Sequence, residues 1–193
     1  MTSRGRDIGR PAAAASRVLV ALGGNLATSA DGGPRGILEA ALKAMPAFGI
    51  RVCARGPFYR TPSLSRYTQD DYVNSVIGIE MMLPPQPLLA MLHRIEALFG
   101  RVRRDRWGPR TLDLDLLDYK GLVVPAMDRR GIDAVGELPL ALPHPGLMER
   151  GFVLLPLREV APGWRHPATG ESIETLIGRL PAEALRGIER LPG

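Results

Sequence analysis

Asp113 and Asp115 stand two residues apart and alternate with Leu112, Leu114 and Leu116. Such alternation is typical of a β-strand with one buried face, so both carboxylates should point away from the leucines, roughly 6 to 7 Å from each other. Carboxylate oxygens suit magnesium, and a pair of them can hold two ions at a reacting phosphoryl group. A lone Asp-x-Asp pattern is more often a solvated strand face, so the neighbouring residues decide the interpretation.

Arginines fill the segment just before this strand. Five of them flank a tryptophan in a loop that contains glycine and proline: Arg101, Arg103, Arg104, Arg106 and Arg110, with Trp107 among them. Guanidinium groups hold phosphate oxygens in pairs, and a tryptophan on a loop can act as a lid. Metal-binding anions beside such cations favour a polyphosphate site over a basic, solvated loop.

Two further signals are weaker on their own. Gly23-Gly24-Asn25 could cradle a phosphate, but the chain has neither a Walker lysine motif nor the full dinucleotide glycine pattern. His144, between two prolines, and Arg150 offer further donors, although an isolated histidine is more often structural. We expect these groups to matter only if the fold brings them to the aspartates.

Hydrophobic spacing predicts the elements that must position these residues. The apolar run from Val18 to Leu22 predicts a buried strand that turns into a loop at Gly23. Four elements follow: a helix with apolar residues from Ile37 to Met45, stopped by Pro46 and Gly49; an alternating strand from Ile50; another from Tyr72 to Met81; and a helix from Pro84-Pro85 to Gly100. In the strand after the long polar loop, Tyr72 and Asn74 share one face, opposite Val73 and Ile77.

This order of elements predicts an α+β sandwich, with two helices packed on one side of a mainly antiparallel sheet in a single domain. A chain of 193 residues, 45% of them hydrophobic, can bury one core. The stretch from Gly121 to Leu142 reads as a long excursion, and residues 151–160 as a helix. We expect residues 1–16 to be a disordered or frayed extension and residues 166–193 a poorly determined C-terminal extension.

Composition narrows the class of protein further. The net charge of +5 comes almost wholly from arginine, which is weak evidence for a polyanionic partner. Cys53 is the only cysteine, so an intramolecular disulfide is excluded and a reducing compartment fits. No apolar run approaches the ~18 residues of a membrane span. We therefore expect a cytoplasmic protein.

Several sequence blocks together closely resemble the 6-hydroxymethyl-7,8-dihydropterin pyrophosphokinase family. They are residues 58–62, 71–74, 101–103 and 106–115, and Pro143-His144 with residues 150–152. The block Arg-Trp-Gly-Pro-Arg-Thr-Leu-Asp-Leu-Asp at 106–115 is highly specific to that family. The match runs in order from about Val18 to Pro162, which implies a pterin pyrophosphokinase domain over residues 17–165.

The resemblance implies a ferredoxin-like sandwich and a magnesium-dependent reaction of folate synthesis, in which the diphosphate of ATP moves to the pterin hydroxymethyl group and AMP is released. It implies that Asp113 and Asp115 hold two Mg²⁺ ions and that Arg101 and Arg110 are catalytic. The implied ATP-binding residues are His93, Glu96, Arg101, Arg103, Trp107, Arg110, Leu116, His144 and Arg150. The implied pterin-binding residues are Thr61, Pro62, Leu64, Tyr72, Asn74, Trp107 and Phe152.

The chain departs from the family pattern at two positions, because Gly24 stands where serine is usual and His93 where glutamine is expected. Two other classes of protein stay open. An RNA-binding module can share such a sheet, but it stacks bases on strand aromatics, where this chain has aspartates. A paralogue that binds nucleotide without turnover would keep the fold. We expect small-molecule substrates, no nucleic-acid or membrane partner, and a monomer.

Overall fold

An antiparallel sheet organises the chain. The computed structural model describes residues 17–26, 32–63, 70–101, 110–126 and 139–193. Within these ranges the strands are β1 (Val18–Gly24), β2 (Arg51–Arg55), β3 (Tyr59–Thr61), β4 (Tyr72–Glu80), β5 (Asp113–Tyr119) and β6 (Glu189–Arg190). Their order is β5-β1-β4-β3-β6, and β2 also pairs with β4. Short β2 and β3 therefore continue one another along the same edge of β4.

Helices cover both faces of this sheet. They are α1 (Gly33–Ala44), α2 (Pro85–Leu98), α3 (Gly151–Val160) and α4 (Ile173–Gly178). Apolar residues of α1 and α2 pack on one face, in a cluster that includes Leu38, Leu92 and Ile77. On the other face, α3 and α4 cover Leu19 and Val76. The predicted sandwich is confirmed, and α3 and α4 add a second helical layer.

The end of α1 shows why Pro46 and Gly49 correctly predicted the stop of this helix. The helix passes into a 3₁₀ turn, Met45–Phe48, and Gly49 follows with a φ of 72°. A side chain is strained in this left-handed region, so glycine is the natural stop residue. The backbone N–H of Gly49 donates to the carbonyl of Pro46 at 3.0 Å, and β2 starts two residues later.

Four predictions of local structure need correction or lie outside the described residues. β1 continues through Gly23 and Gly24 instead of turning there, because both residues pair with β4. The C-terminal part, which the sequence left undetermined, contains α4, a 3₁₀ turn and β6. The predicted frayed extension, residues 1–16, and most of the excursion, residues 127–138, lie outside the description.

Candidate functional site

A row of residues crosses the sheet where β1 ends. Gly23 lies opposite Asp113 of β5 on one side and opposite Asn74 of β4 on the other, and Asn74 in turn lies opposite Tyr59 of β3. Directly opposed residues of antiparallel strands share a face. A Cβ on Gly23 would fall 2.8 Å from Asn74 Oδ1, so a larger residue here would displace this amide. Gly23 is buried, and it brings the backbone of β1 close to the Asn74 amide, between this amide and the carboxylate of Asp113. The sequence did not predict this row, because Gly23 was assigned to a loop.

Two arginines converge on Asp113 at one end of this row. Arg101 donates to Asp113 Oδ1 and Arg110 donates to Asp113 Oδ2. Arg101 also pairs with Glu96, whose side chain is 2% exposed. Glu96 Oε1 accepts the backbone N–H of Leu114 at 2.7 Å, which ties α2 to β5. The two arginines that the resemblance implies to be catalytic are therefore held by Asp113 of β5, and Arg101 is held by Glu96 of α2 as well.

Asp115 lies on the same strand face and has different partners. His144 Nε2 is 3.8 Å and Arg150 Nη1 is 3.5 Å from Asp115 Oδ2. Partial burial raises the pKa of the Asp115 carboxyl, and the nearby charge of Asp113 raises it further, against the opposing effect of His144 and Arg150. Burial lowers the pKa of His144. The fold thus brings His144 and Arg150, one of the two weaker sequence signals, to Asp115.

The donor set of the two aspartates fits magnesium shared with a nucleotide. Within the ranges described above, no group of three or more His, Cys, Asp and Glu side chains gathers as a metal site. Magnesium is commonly held by one or two carboxylates, and substrate phosphates and water complete its coordination. A divalent cation would also relieve the repulsion that raises the pKa of Asp115. Asp113 and Asp115 are the residues that would hold it.

Asn25, which follows the paired glycines, links three loops of the site. Its side chain is buried, and its Oδ1 accepts the backbone N–H of Arg110 at 2.8 Å. The backbone N–H groups of Asn25 and Leu26 both donate to the carbonyl of Arg110, at 2.9 and 3.1 Å. Asn25 Nδ2 donates to the carbonyl of Asp70, two residues before β4, at 3.2 Å. Asn25 therefore fixes the backbone of Arg110 and the entry to the strand that carries Tyr72.

The other end of the row carries the predicted pterin residues. Asn74 is 7% exposed, and its Nδ2 donates to Thr61 Oγ1 at 3.0 Å. Thr61 lies opposite Tyr72 in the pairing of β3 with β4, and burial raises the pKa of the Tyr72 hydroxyl. Phe152 lies near the start of α3, where the Arg150 guanidinium carbon is 5.9 Å from its ring centroid. Arg150 thus bridges the aspartate end and the aromatic end of the site.

Other predicted site residues are buried or half-buried, or lie outside the described residues. The Leu116 side chain is buried in the core beneath α1 and α2, so a nucleotide contact at this position would involve its backbone. Glu96 is buried between α2 and β5, and His93 is half-buried on α2. The predicted residues Leu64, Arg103 and Trp107 lie outside the described residues, as do Arg104 and Arg106.

Comparisons with known proteins agree with one another. Residues 19–162 match the family model described as 7,8-dihydro-6-hydroxymethylpterin-pyrophosphokinase. A protein of Pseudomonas aeruginosa named 2-amino-4-hydroxy-6-hydroxymethyldihydropteridine pyrophosphokinase is 40% identical over 92% of this chain and 98% of its own length. A protein of Methylorubrum extorquens with the same name is 37% identical over 90% and 99%.

A solved structure shows the same fold. Plasmodium falciparum HPPK-DHPS with pteroate matches with a TM-score of 0.66 at 12% identity, over 90% of this chain and 45% of that chain. The chain therefore spans less than half of that protein chain, and the likeness concerns the fold alone. As for membranes, none of the described helices has the length and apolar character to span a bilayer.

Proposed function

Because the chain belongs to the 7,8-dihydro-6-hydroxymethylpterin-pyrophosphokinase family, we propose that it transfers the diphosphate of ATP to 6-hydroxymethyl-7,8-dihydropterin, with magnesium as the metal. As a member of this family, the chain is an ATP-dependent diphosphotransferase of folate biosynthesis. The observation that carries the finer proposal is the row across β5, β1 and β4. Asp113 with its arginines lies at one end and Asn74 with Thr61 at the other, with only Gly23 between them.

In the proposed reaction the hydroxymethyl oxygen of the pterin attacks the β-phosphorus of ATP. The bond from this phosphorus to the oxygen that bridges the α-phosphate breaks, AMP leaves with that oxygen, and the hydroxyl proton is released. Such transfers need positioned reactants and fixed positive charge more than a protein nucleophile. Arg101 and Arg110 are the described residues best placed to supply that charge, since both reach Asp113.

The two aspartates and the two arginines suggest how ATP binds. Magnesium, when bound, would neutralise charge on the transferring phosphate and the leaving oxygen. Asp113 and Asp115 would hold the two ions that the resemblance implies. Both oxygens of Asp113 accept hydrogen bonds from arginines. ATP phosphates offer these arginines alternative anions, so we propose that Arg101 and Arg110 exchange Asp113 for phosphate oxygens when the nucleotide binds.

For the pterin, we propose that Tyr72 and Phe152 stack on the ring and that Asn74 and the backbone near Thr61 read its hydrogen-bonding edge. A flat heterocycle is typically recognised by aromatic faces and a few fixed polar groups. The bond from Asn74 Nδ2 to Thr61 Oγ1 fixes the amide orientation, which supports this role. Pro62, Leu64, Trp107 and Arg103 belong to the proposed site through the resemblance, as do His93, Glu96 and Leu116 on the nucleotide side.

The proposal includes a monomer that works on small molecules in the cytoplasm. One chain supplies all the described groups named above, so the proposed site needs no second copy. Light scattering after size-exclusion chromatography should give the mass of a single chain, 20.9 kDa. A larger mass would contradict this part of the proposal.

The deciding experiment is an assay of AMP formation from ATP and magnesium, with and without 6-hydroxymethyl-7,8-dihydropterin. We expect AMP only when the pterin is present. Asp115→Asn keeps the shape of the side chain but removes the charge, and it should lower kcat by at least about 100-fold because a metal carboxylate is lost.

A matched control removes a carboxylate from α4. Glu174→Gln changes a side chain that is 65% exposed and 3.9 Å from Arg158, so it should keep full activity. If wild-type protein forms no pterin-dependent AMP, the proposed function is wrong and a nucleotide-binding paralogue becomes the better interpretation. Equal activity of Asp115→Asn and Glu174→Gln would remove Asp115 from the proposed metal site.

A further inference from the structure

The C-terminal segment, residues 181–192, lies against both halves of the proposed pterin site. Its strand β6 extends the sheet beyond β3, with Arg190 opposite Tyr59 and Glu189 opposite Arg60. β3 ends at Thr61, which belongs to the proposed pterin edge. The short strand β3 therefore lies between β4, which carries Tyr72 and Asn74, and a strand from the chain end.

One contact of this segment falls on Pro62, directly after β3. Gly187 has a φ of +68°, and a Cβ on it would fall 2.6 Å from Pro62 Cγ and 3.3 Å from Pro62 Cδ. The backbone at Gly187 therefore rests on the proline ring with no room for a side chain. Real Cβ atoms essentially never come this close to another heavy atom, so an added methyl must move one of the two segments.

A second contact falls on the start of α3, next to Phe152. A Cβ on Gly151 would fall 2.3 Å from the carbonyl of Ala184 and 2.9 Å from Leu185 Cδ2. The C-terminal segment thus touches the residue before one proposed stacking ring and the proline beside the proposed pterin edge. It connects two parts of the site that are far apart in sequence.

The segment is anchored firmly enough to act as a support. The backbone N–H of Leu191 donates to the carbonyl of Phe58 at 2.8 Å, and Arg35 Nη1 donates to the carbonyl of Pro192 at 2.7 Å. Arg190 Nη2 is 3.2 Å from Glu159 Oε2 on α3. Glu159 also accepts the Tyr59 hydroxyl, so β3, β6 and α3 share one polar cluster.

We propose that the C-terminal segment sets the width of the pterin-binding side, with Gly187 as a positioning residue that holds Pro62. This inference rests on the proposed function. Gly187 lies against Pro62, directly after β3, whereas the arginines that contact Asp113 are Arg101, which follows α2, and Arg110. A change at Gly187 should therefore weaken pterin binding and leave ATP binding almost intact.

The test compares Gly187→Ala with Gly170→Ala. Both glycines have a positive φ, +68° and +73°, but a Cβ on Gly170 would meet nothing within 4 Å. The control therefore carries the same backbone strain without the contact on Pro62. We expect Gly187→Ala to raise the KM for the pterin about 3- to 10-fold over the control, because small displacements at a binding site already weaken positioning. The KM for ATP should change less than about 2-fold in both variants.

Isothermal titration calorimetry of the pterin, with magnesium and a non-hydrolysable ATP analogue, should show the same ratio of dissociation constants without turnover. A pterin affinity equal to that of Gly170→Ala, or a parallel loss of affinity for both substrates, would overturn the inference. Because wild-type activity is measured first, failure of the proposed function would show there, before either variant is compared.

Leu185→Ala provides a second route if Gly187→Ala does not fold. This substitution removes the Leu185 methyl groups, which lie near Gly151 at the start of α3, and it adds no backbone strain. Leu185 is only half-buried. The substitution should weaken pterin binding, and the affinity for ATP is measured beside it because Gly151 follows Arg150, which lies 3.5 Å from Asp115. An unchanged pterin affinity in a folded Leu185→Ala protein would count against the support role.

Discussion

At the scale of single residues, Glu96 connects structure and chemistry. Its carboxylate is buried, accepts the Leu114 backbone N–H and pairs with Arg101. Arg101 in turn reaches Asp113. A buried charge is tolerated only when partners surround it, so Glu96 fixes a cation beside a proposed metal ligand. The resemblance assigned Glu96 to nucleotide binding, and its contacts suggest that it also acts by holding Arg101.

Glu96→Gln tests this role through stability. The amide keeps an oxygen for Leu114 but has no charge for Arg101, so we expect a loss of about 1–3 kcal/mol in the free energy of unfolding by urea. Glu39→Gln is the control, because its pair with Arg35 is only partly buried, at 36% and 42% side-chain exposure, and should be worth less than about 0.5 kcal/mol. Similar losses in the two variants would show that the Glu96 charge has no special structural role.

At the scale of elements, the paired glycines bring the end of β1 unusually close to its neighbours. A Cβ on Gly24 would fall 2.5 Å from the carbonyl of Thr111, just before β5. Asn25, the next residue, binds the backbone of Arg110. The departure from the family pattern at Gly24 thus coincides with a close approach of the segment that carries a proposed catalytic arginine.

Gly24→Ala should separate these segments. We expect a loss of about 1–3 kcal/mol in unfolding free energy, since backbone atoms must move to admit the methyl group. Loss of pterin-dependent activity should accompany it, because the Arg110 backbone moves with Thr111. Gly163→Ala, whose Cβ would meet nothing within 4 Å, should change neither quantity noticeably. If both variants are as stable and active as wild type, the close approach has no consequence.

At the scale of the whole molecule, the part of the chain after α3 closes the second core. Trp164 is 4% exposed, and its Nε1 donates to Asp118 Oδ2 of β5 at 2.7 Å. His166 packs edge-on against Trp164, with ring centroids 5.9 Å apart. His166 Nδ1 accepts the backbone N–H of Thr169 at 3.2 Å. The later part of the chain thus contributes directly to the packing beneath β5.

This packing predicts a pH dependence of stability. Burial lowers the pKa of His166 below its usual 6.5. Below pH 6.5 the unfolded chain binds a proton on this imidazole that the folded chain binds only at lower pH, so the free energy of unfolding should fall as the pH drops from 6.5. His144 is shifted in the same direction, so the wild-type curve contains both effects.

The variant His166→Gln isolates one of these effects. Urea unfolding between pH 5 and pH 8 gives the free energy of unfolding at each pH. Below pH 6.5 this free energy should fall less steeply in the variant than in wild type, and the difference in slope should not exceed that of one bound proton. The variant should have nearly the same pH dependence above pH 7, where the imidazole is neutral in both states. Identical slopes below pH 6.5 would show that His166 titrates normally in the folded protein.

The alternation of residues along single strands could be read from the sequence. Asp113 with Asp115, and Tyr72 with Asn74, each share a face because side chains of a strand alternate between its faces. The stop at Gly49 was equally local. The reaction was predicted from the family motifs, which are sets of residues that occur together along the chain.

Tertiary structure alone decided how distant segments meet. Strand register sets Asp113, Gly23 and Asn74 in one row, and register depends on the packing of both sheet faces. The contact of Gly187 with Pro62 and the bond between Asn25 and Arg110 join residues far apart in the chain. No local periodicity encodes such pairs, because their geometry follows from the closure of the whole fold around its two cores.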